Sequence, residues 1–121
     1  FNLTFAPTIH PSDPYSIKFE NSTSSFAFSS DGKLTEEQQK LFKNCSSLIF
    51  NSKVIQGSHP VHCSIEEVLT YVRTLENLKN LAFIHLDKNI SDEEINTYVK
   101  NNFPKNLNVF IPKVLDKIQI N

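Results

Sequence analysis

The sequence predicts an α/β domain in which a mixed sheet carries its helices on one face, and three patterns lead to this fold class. Apolar and polar residues alternate over most of residues 1–30, as in half-buried strands. After Gly32 the spacing becomes helical three times, and short apolar runs lie between the helical segments. The predicted order is therefore β-β-β-α-β-α-β-α-β-β. A chain of 121 residues is large enough to bury one core and forms a single unit, 1–121.

The first three strands are predicted at residues 1–5, 15–20 and 25–30. In the second, Tyr15, Ile17 and Phe19 alternate with polar residues, which is typical of a strand with one buried face. The polar sequence NSTS between the second and third strands is typical of a hairpin turn, so these strands should pair antiparallel.

Each helical segment begins with a capping box, in which a hydroxyl accepts from the third helical amide and that residue's side chain reaches back. The three pairs are Thr35 with Gln38, Ser64 with Glu67, and Ser91 with Glu94. The predicted helices span residues 35–43, 64–77 and 91–102.

Apolar runs at residues 47–50, 81–86 and 107–112 predict buried strands, and the alternating KIQI at 117–120 predicts a closing strand. Helices between such runs indicate parallel neighbours joined by right-handed crossovers.

Charge, cysteine content and hydropathy exclude several classes of protein. Twelve basic and thirteen acidic residues give a net charge of -1, without the footprint of a nucleic-acid-binding domain, although a local basic groove is still compatible. Cys45 and Cys63 are too few for a disulfide scaffold, and a single bridge stays open. The sequence lacks the roughly 18-residue apolar run that a membrane span requires. We expect an intracellular, reduced location, with the cytoplasm favoured over an organelle or the nucleus.

Four residues capable of chemistry lie in loops beside strand ends. Asp31 follows the third strand, His62 precedes the second helix, His85 ends the run LAFIH, and His10 lies between the first two strands. Loops at the carboxyl ends of parallel strands gather at one edge of a sheet, where ligands bind. We therefore expect Asp31, His62 and His85 to converge, with His10 joining them across the hairpin. Imidazole nitrogen and carboxylate oxygen are donors that zinc prefers.

Each of these residues also has a structural interpretation when taken alone. Asp31 suits the turn SSDG, and His85 suits a hydrogen-bonded core position. His59, beside Pro60, is interpreted as an exposed loop residue, and Cys63 as a small buried side chain. Ser64 is explained as a helix cap. A Cys63 nucleophile paired with His59 or His62 ranks last, because no orienting third group is evident.

The succession IHPSDPYSIKFE, SFAFSSD, SSLIFN, HCSIEEVLTYVRTL and LAFIHLD resembles the second half of the metallo-β-lactamase fold. The similarity is greatest to tRNase Z-like and related phosphodiesterase branches, and it runs from about residue 5 to residue 120. It implies an αββα sandwich of which residues 1–121 form the C-terminal half.

The resemblance also implies roles for individual residues. Asp31 at the end of SSD would bridge two metal ions, and His10 and His85 would each supply one ligand. His62 in HCS would be the catalytic residue beside the reacting phosphate. The implied cofactor is a pair of zinc ions, with manganese or iron as alternatives, bound only in part by this chain.

The family's H-x-H-x-D-H loop is absent from this sequence, SSD replaces SGD, and Leu86–Asp87 replaces the usual Leu-Ser. Two hypotheses follow. The chain is part of a metal-dependent phosphodiester hydrolase of the nuclease, tRNA-processing or cyclic-nucleotide type. Alternatively, it is a degenerate half that serves as a structural, RNA-binding or partner-binding scaffold. The expected partners are the preceding half of the fold, a second copy of the chain, and a phosphodiester substrate such as RNA, but no membrane.

Overall fold

A computed structural model describes residues 1–119 and contains seven strands and three helices in this part of the chain. The strands are β1 (Asn2–Pro7), β2 (Tyr15–Glu20), β3 (Ser25–Phe28), β4 (Ser47–Val54), β5 (Cys63–Ser64), β6 (Asn80–Ile84) and β7 (Asn108–Phe110). The helices are α1 (Glu36–Phe42), α2 (Ile65–Val72) and α3 (Asp92–Asn102). Every helix within residues 1–119 is too short or too polar to cross a lipid bilayer.

The sheet is mixed, as the sequence predicts. Its order is β1-β2-β3-β4-β6-β7, and β5 pairs with β4 beside this path. The first three strands pair antiparallel, whereas β3, β4, β6 and β7 run parallel to one another. The helical crossovers therefore bring the carboxyl ends of β3, β4 and β6 to the same edge of the sheet.

All three predicted capping boxes are present, at Thr35, Ser64 and Ser91. The second helix is shorter than predicted and ends at Val72 instead of residue 77. The chain tightens there, because the N–H groups of Thr74 and Leu75 donate to carbonyls three residues back, at 2.9 and 3.0 Å. The Thr74 hydroxyl also donates to the Tyr71 carbonyl at 2.7 Å, which occupies an acceptor at the end of the helix.

Two strand predictions need correction. β4 continues to Val54, because Ser52 and Val54 pair with the unpredicted strand β5. The closing strand predicted at 117–120 does not form over residues 117–119, and residue 120 lies outside the described residues.

The helices pack on one face of the sheet and form the core there. Phe42 of α1 meets Phe50 of β4 edge to face, and Phe83 of β6 meets Phe103 after α3 in the same way. These four rings are buried together with the apolar stripe of α2. Close-packed aromatic pairs of this kind stabilise the core beyond the area that they bury.

The opposite face of the sheet is apolar and partly exposed. Leu3 lies opposite Phe19, Phe5 opposite Ile17, and Phe19 opposite Phe26. The exposed fractions of Leu3, Phe5 and Phe19 are 47%, 58% and 37%. The alternating apolar residues of YSIKF lie on this face, while Ser16 and Lys18 between them are buried on the other.

Candidate metal centre

The site lies at the carboxyl edge of the parallel strands, where three loops bring Asp31, His62 and His85 together. Asp31 follows β3, His62 directly precedes β5, and His85 directly follows β6. One ligand atom from each residue lies within 4.8 Å of the other two. The convergence expected from the sequence is therefore present for these three residues.

Asp31 is held in a sharp reversal of the chain. Ser30 has φ 61 and Gly32 has φ 118, so the backbone is left-handed on both sides of Asp31. The Thr8 hydroxyl donates to the Asp31 carbonyl at 2.6 Å, and Asn51 Nδ2 donates to Asp31 Oδ1. A Cβ at Gly32 would lie 2.6 Å from Thr8 Oγ1 and 2.7 Å from the Ile9 carbonyl, so only glycine fits this approach.

The pairing of β5 with β4 fixes the position of His62. Cys63 lies opposite Ser52, which places the preceding residue, His62, beside the end of β4. The imidazole is 8% exposed, and its Nδ1 has no hydrogen-bond partner within residues 1–119. A buried nitrogen without a hydrogen-bond partner destabilises the fold unless a ligand contacts it, so the ring is suited to bind one.

His85 is the first residue after β6, and its φ is 67. A left-handed conformation is uncommon for a residue other than glycine and is found most often where a site requires it. The turn is held two residues later, where the Asp87 N–H donates to the Lys53 carbonyl at 3.0 Å. His85 is thus turned out of the strand line instead of continuing into the core.

These three donors fit a divalent metal ion. Nitrogen from two imidazoles and oxygen from a carboxylate form a donor set typical of zinc. Two donors bound to one zinc ion lie at most about 4.2 Å apart. A small adjustment of side chains whose ligand atoms lie within 4.8 Å would therefore bring them to zinc-binding distance. Because Nδ1 of His62 is unpartnered, the ring is available to a metal ion or to an anion bound beside one.

His10 lies at the margin of this group. Its ring centroid is 5.4 Å from that of His62, but its nitrogens fall outside the 4.8 Å group. His10 Nδ1 and Ser12 Oγ are 2.8 Å apart, which leaves Nε2 as the nitrogen for a ligand. His10 therefore lies beside the cluster without being one of the three residues whose ligand atoms converge, and its role as a ligand stays a prediction.

His59 lies closer to the site than the sequence interpretation placed it. It is half-buried, and its ring centroid is 4.9 Å from that of His62. All four histidines of the chain therefore lie in one cluster around His62. The spacing of His59 and His62 about Pro60 is the only sequence signal for this, and it also fits an ordinary loop.

The electrostatics of the cluster keep His62 neutral. Burial lowers the pKa of His62 below its usual 6.5, and the neighbouring rings of His85 and His59 lower it further. Asp31 acts in the opposite direction but more weakly. At neutral pH the ring therefore offers one lone pair and one N–H.

Cys63 and Ser64 have structural roles. Cys63 is 2% exposed, and burial raises the pKa of its thiol to about 11, so it is protonated at neutral pH and is a poor nucleophile. Cys45 is also buried, and both cysteines are free. Ser64 Oγ accepts from the Glu67 N–H, and the Glu66 N–H donates to the Ile55 carbonyl. The amides of Glu66 and Glu67 at the start of α2 are thus already partnered.

No protein-family model matches the sequence, and no curated protein matches it. Solved structures do. A metallo-β-lactamase fold protein, YhfI from Bacillus subtilis, superposes with a TM-score of 0.78 at 18% identity. The match covers 92% of this chain and 46% of that one. The fold is that of the metallo-β-lactamase-fold proteins.

Two further structures share the metallo-β-lactamase fold with this chain. A diphosphatase from the PhnP family matches 88% of this chain and 39% of its own, with a TM-score of 0.67 and 18% identity. A putative zinc-dependent hydrolase of the metallo-β-lactamase superfamily from Thermotoga maritima matches 89% of this chain and 62% of its own, with a TM-score of 0.61 and 16% identity. The chain thus spans between two fifths and two thirds of the length of these neighbours.

Proposed function

We propose that this chain is the C-terminal half of a metallo-β-lactamase-like domain and supplies part of the active site of a metal-dependent phosphodiester hydrolase. The observation that carries the proposal is the convergence of Asp31, His62 and His85 within 4.8 Å at one sheet edge. The fold agrees with it, because a diphosphatase and a putative zinc-dependent hydrolase are among the structural neighbours.

In the proposed site, Asp31, His10 and His85 would be the residues of this chain that hold two zinc ions, with manganese or iron as alternatives. Bound zinc supplies a Lewis acid that polarises a phosphate oxygen and lowers the pKa of a water molecule. The remaining ligands would come from the preceding half of the fold, because three residues cannot complete two coordination spheres.

His62 acts on the phosphate in this proposal. The ring is neutral in the absence of an anion, since burial and its neighbours lower its pKa. A bound phosphate beside the ring would raise that pKa, so His62 can take up a proton when substrate binds. It then stabilises charge on the phosphate or donates the proton to the leaving oxygen.

The exposed sheet face is the proposed contact with the preceding half. Leu3, Phe5 and Phe19 form an apolar surface of the kind that marks an interface. The YhfI chain has about twice the matched length, so its fold contains a further half beside the region that this chain matches. Phe5→Lys combined with Phe19→Lys should prevent the two halves of the fold from packing together. Val114→Lys, at another exposed apolar residue, should not.

The first experiment measures metal content and hydrolysis of bis(4-nitrophenyl) phosphate by the intact protein. Asp31→Asn and His85→Ala should lose metal and activity, while His62→Ala should keep metal and lose kcat by about 10²–10⁴-fold. Asp92→Asn is the matched control, because Asp92 is exposed and forms its ion pair with Lys113, at 3.0 Å, away from the histidine cluster. Residues 1–121 alone should be inactive. Hydrolysis by this segment alone, with stoichiometric zinc, would contradict the proposed division of the site.

The scaffold alternative is favoured by the same apolar face, which can dock a partner without any chemistry at the histidine cluster. The residues before position 1 discriminate between the two. An intact H-x-H-x-D-H loop supports the hydrolase, and its replacement by non-ligating residues supports the scaffold.

A further inference from the structure

Asn51 is a buried amide at the edge of the candidate metal centre, and nothing in the sequence motifs assigns it a role. It lies in β4, is 4% exposed, and is opposite Ile84, the residue before His85. Its N–H donates to Ser29 Oγ at 2.8 Å, and the Ser29 N–H donates to the Ile49 carbonyl at 2.9 Å. The Asn51 backbone is therefore tied to the end of β3, two residues before Asp31.

The Asn51 side chain reaches Asp31 itself. Its Nδ2 donates to Asp31 Oδ1, while the Thr8 hydroxyl holds the Asp31 carbonyl at 2.6 Å. Asp31 is thus fixed at both ends, the backbone by Thr8 and the carboxylate by Asn51. A hydrogen bond to one carboxylate oxygen restricts both side-chain torsions of the aspartate and leaves the other oxygen for a ligand.

An amide suits this task better than a charged donor would. Lysine or arginine at position 51 would form an ion pair with Asp31 and compete with a cation for the carboxylate. The uncharged amide orients the carboxylate and leaves its full negative charge available for a cation.

The second polar atom of Asn51 points to a bound state of the site. Asn51 Oδ1 is buried and lacks a hydrogen-bond partner within residues 1–119, as does Nδ1 of the nearby His62. A buried polar atom without a hydrogen-bond partner destabilises a fold, so these two atoms indicate a site that a ligand completes.

We infer that Asn51 is a positioning residue that holds the Asp31 carboxylate toward His62 and His85. The inference rests on the proposed function, since it concerns the binding of metal by Asp31. It extends that proposal to a residue outside the ligand set.

The test compares Asn51→Leu with Asn80→Leu in the intact protein. Leucine keeps the branched shape and the number of side-chain heavy atoms of asparagine and removes its amide. Asn80 is the matched control, since it lies in the neighbouring strand β6 and its amide donates to Ser47 Oγ at the opposite edge of the sheet. The measurements are zinc affinity by competition titration, the visible spectrum of the cobalt-substituted protein, and thermal unfolding of the metal-free protein.

Asn51→Leu should weaken zinc binding about 10–100-fold and change the cobalt spectrum, as is typical when the partner of a metal ligand is removed. The metal-free unfolding temperature should fall no more than it does for Asn80→Leu, whose zinc affinity and spectrum should stay at the wild-type values. If Asn51→Leu does not fold, Asn51→Ala makes the same test without added apolar bulk.

Zinc affinity within about twofold of wild type for the Asn51 variant, or equal loss in the Asn80 variant, would overturn the inference and leave the proposed function intact. Unchanged metal binding in Asp31→Asn would instead overturn the proposed function.

Discussion

Ser52 of β4 lies directly opposite Cys63 of β5, and this one pair determines where His62 lies. Both residues are buried, so the backbone beside them cannot shift without opening the core. The loop of residues 55–62 is thereby closed, and the His62 ring is brought to 5.1 Å from that of His85. A two-residue strand thus connects the packing of the core to the geometry of the site.

Gly32 should be far less tolerant of substitution than Gly57. Both have positive φ, 118 and 80, so Gly→Ala costs about 1–2 kcal/mol at either position from the backbone alone. At Gly32 the new Cβ would also meet Thr8 Oγ1 at 2.6 Å and the Ile9 carbonyl at 2.7 Å, which adds about 1–3 kcal/mol. At Gly57 nothing lies within 4 Å. Chemical denaturation of the two variants measures the difference in their free energies of unfolding. Equal losses of stability would contradict the close approach of Thr8 and Ile9 to Gly32.

Removing the cap of α2 should lower hydrolytic activity, whereas removing the cap of α3 should not, because β5 positions His62. Ser64→Ala and Ser91→Ala each delete a complete capping box, at a cost of about 1 kcal/mol. Only Ser64 lies in β5, two residues after His62. The kcat for bis(4-nitrophenyl) phosphate, measured beside urea unfolding, separates loss of activity from loss of stability. The idea that β5 positions His62 is wrong if both variants have the same kcat.

Acid should destabilise the metal-free protein through His62. Its folded pKa is lowered from the usual 6.5, so the unfolded chain takes up the proton more readily. The contribution to stability is therefore complete above about pH 6.5 and is lost as pH falls through the lower folded pKa. Thermal unfolding of the chelated protein between pH 7.5 and 5 should show a smaller decline for His62→Gln than for wild type. An identical decline would mean that His62 ionises equally in both states.

The Cys63 thiol should resist alkylation until the protein unfolds. Burial raises its pKa to about 11, and it is 2% exposed, so both the thiolate form and access are lacking. Iodoacetamide at pH 8 should label Cys63 only in denaturant, as followed by mass spectrometry. Fast labelling of the native protein, accompanied by loss of activity, would restore the thiol-enzyme hypothesis.

Much of the fold could be predicted because local rules and tertiary contacts agree in these segments. The hydroxyl and glutamate or glutamine pairs at Thr35, Ser64 and Ser91 identify the helix starts, since the capping groups lie within one turn of sequence. The helix end at Val72 was missed, because it depends on a turn whose residues could also continue a helix. Strand β5 was missed because two residues carry no periodicity, and it exists only through its pairing with β4.

The candidate site was likewise predicted in part from the sequence and decided in part by tertiary contacts. The sequence by itself determined the order of the longer strands and the helices, and hence the sheet edge at which Asp31, His62 and His85 meet, because parallel strands joined by helices leave little choice of topology. Only the tertiary structure decided that His59 turns toward His62 and that Asn51 holds Asp31. Side-chain contacts between segments depend on strand register and loop path, and in these segments neither leaves a periodic pattern in the sequence.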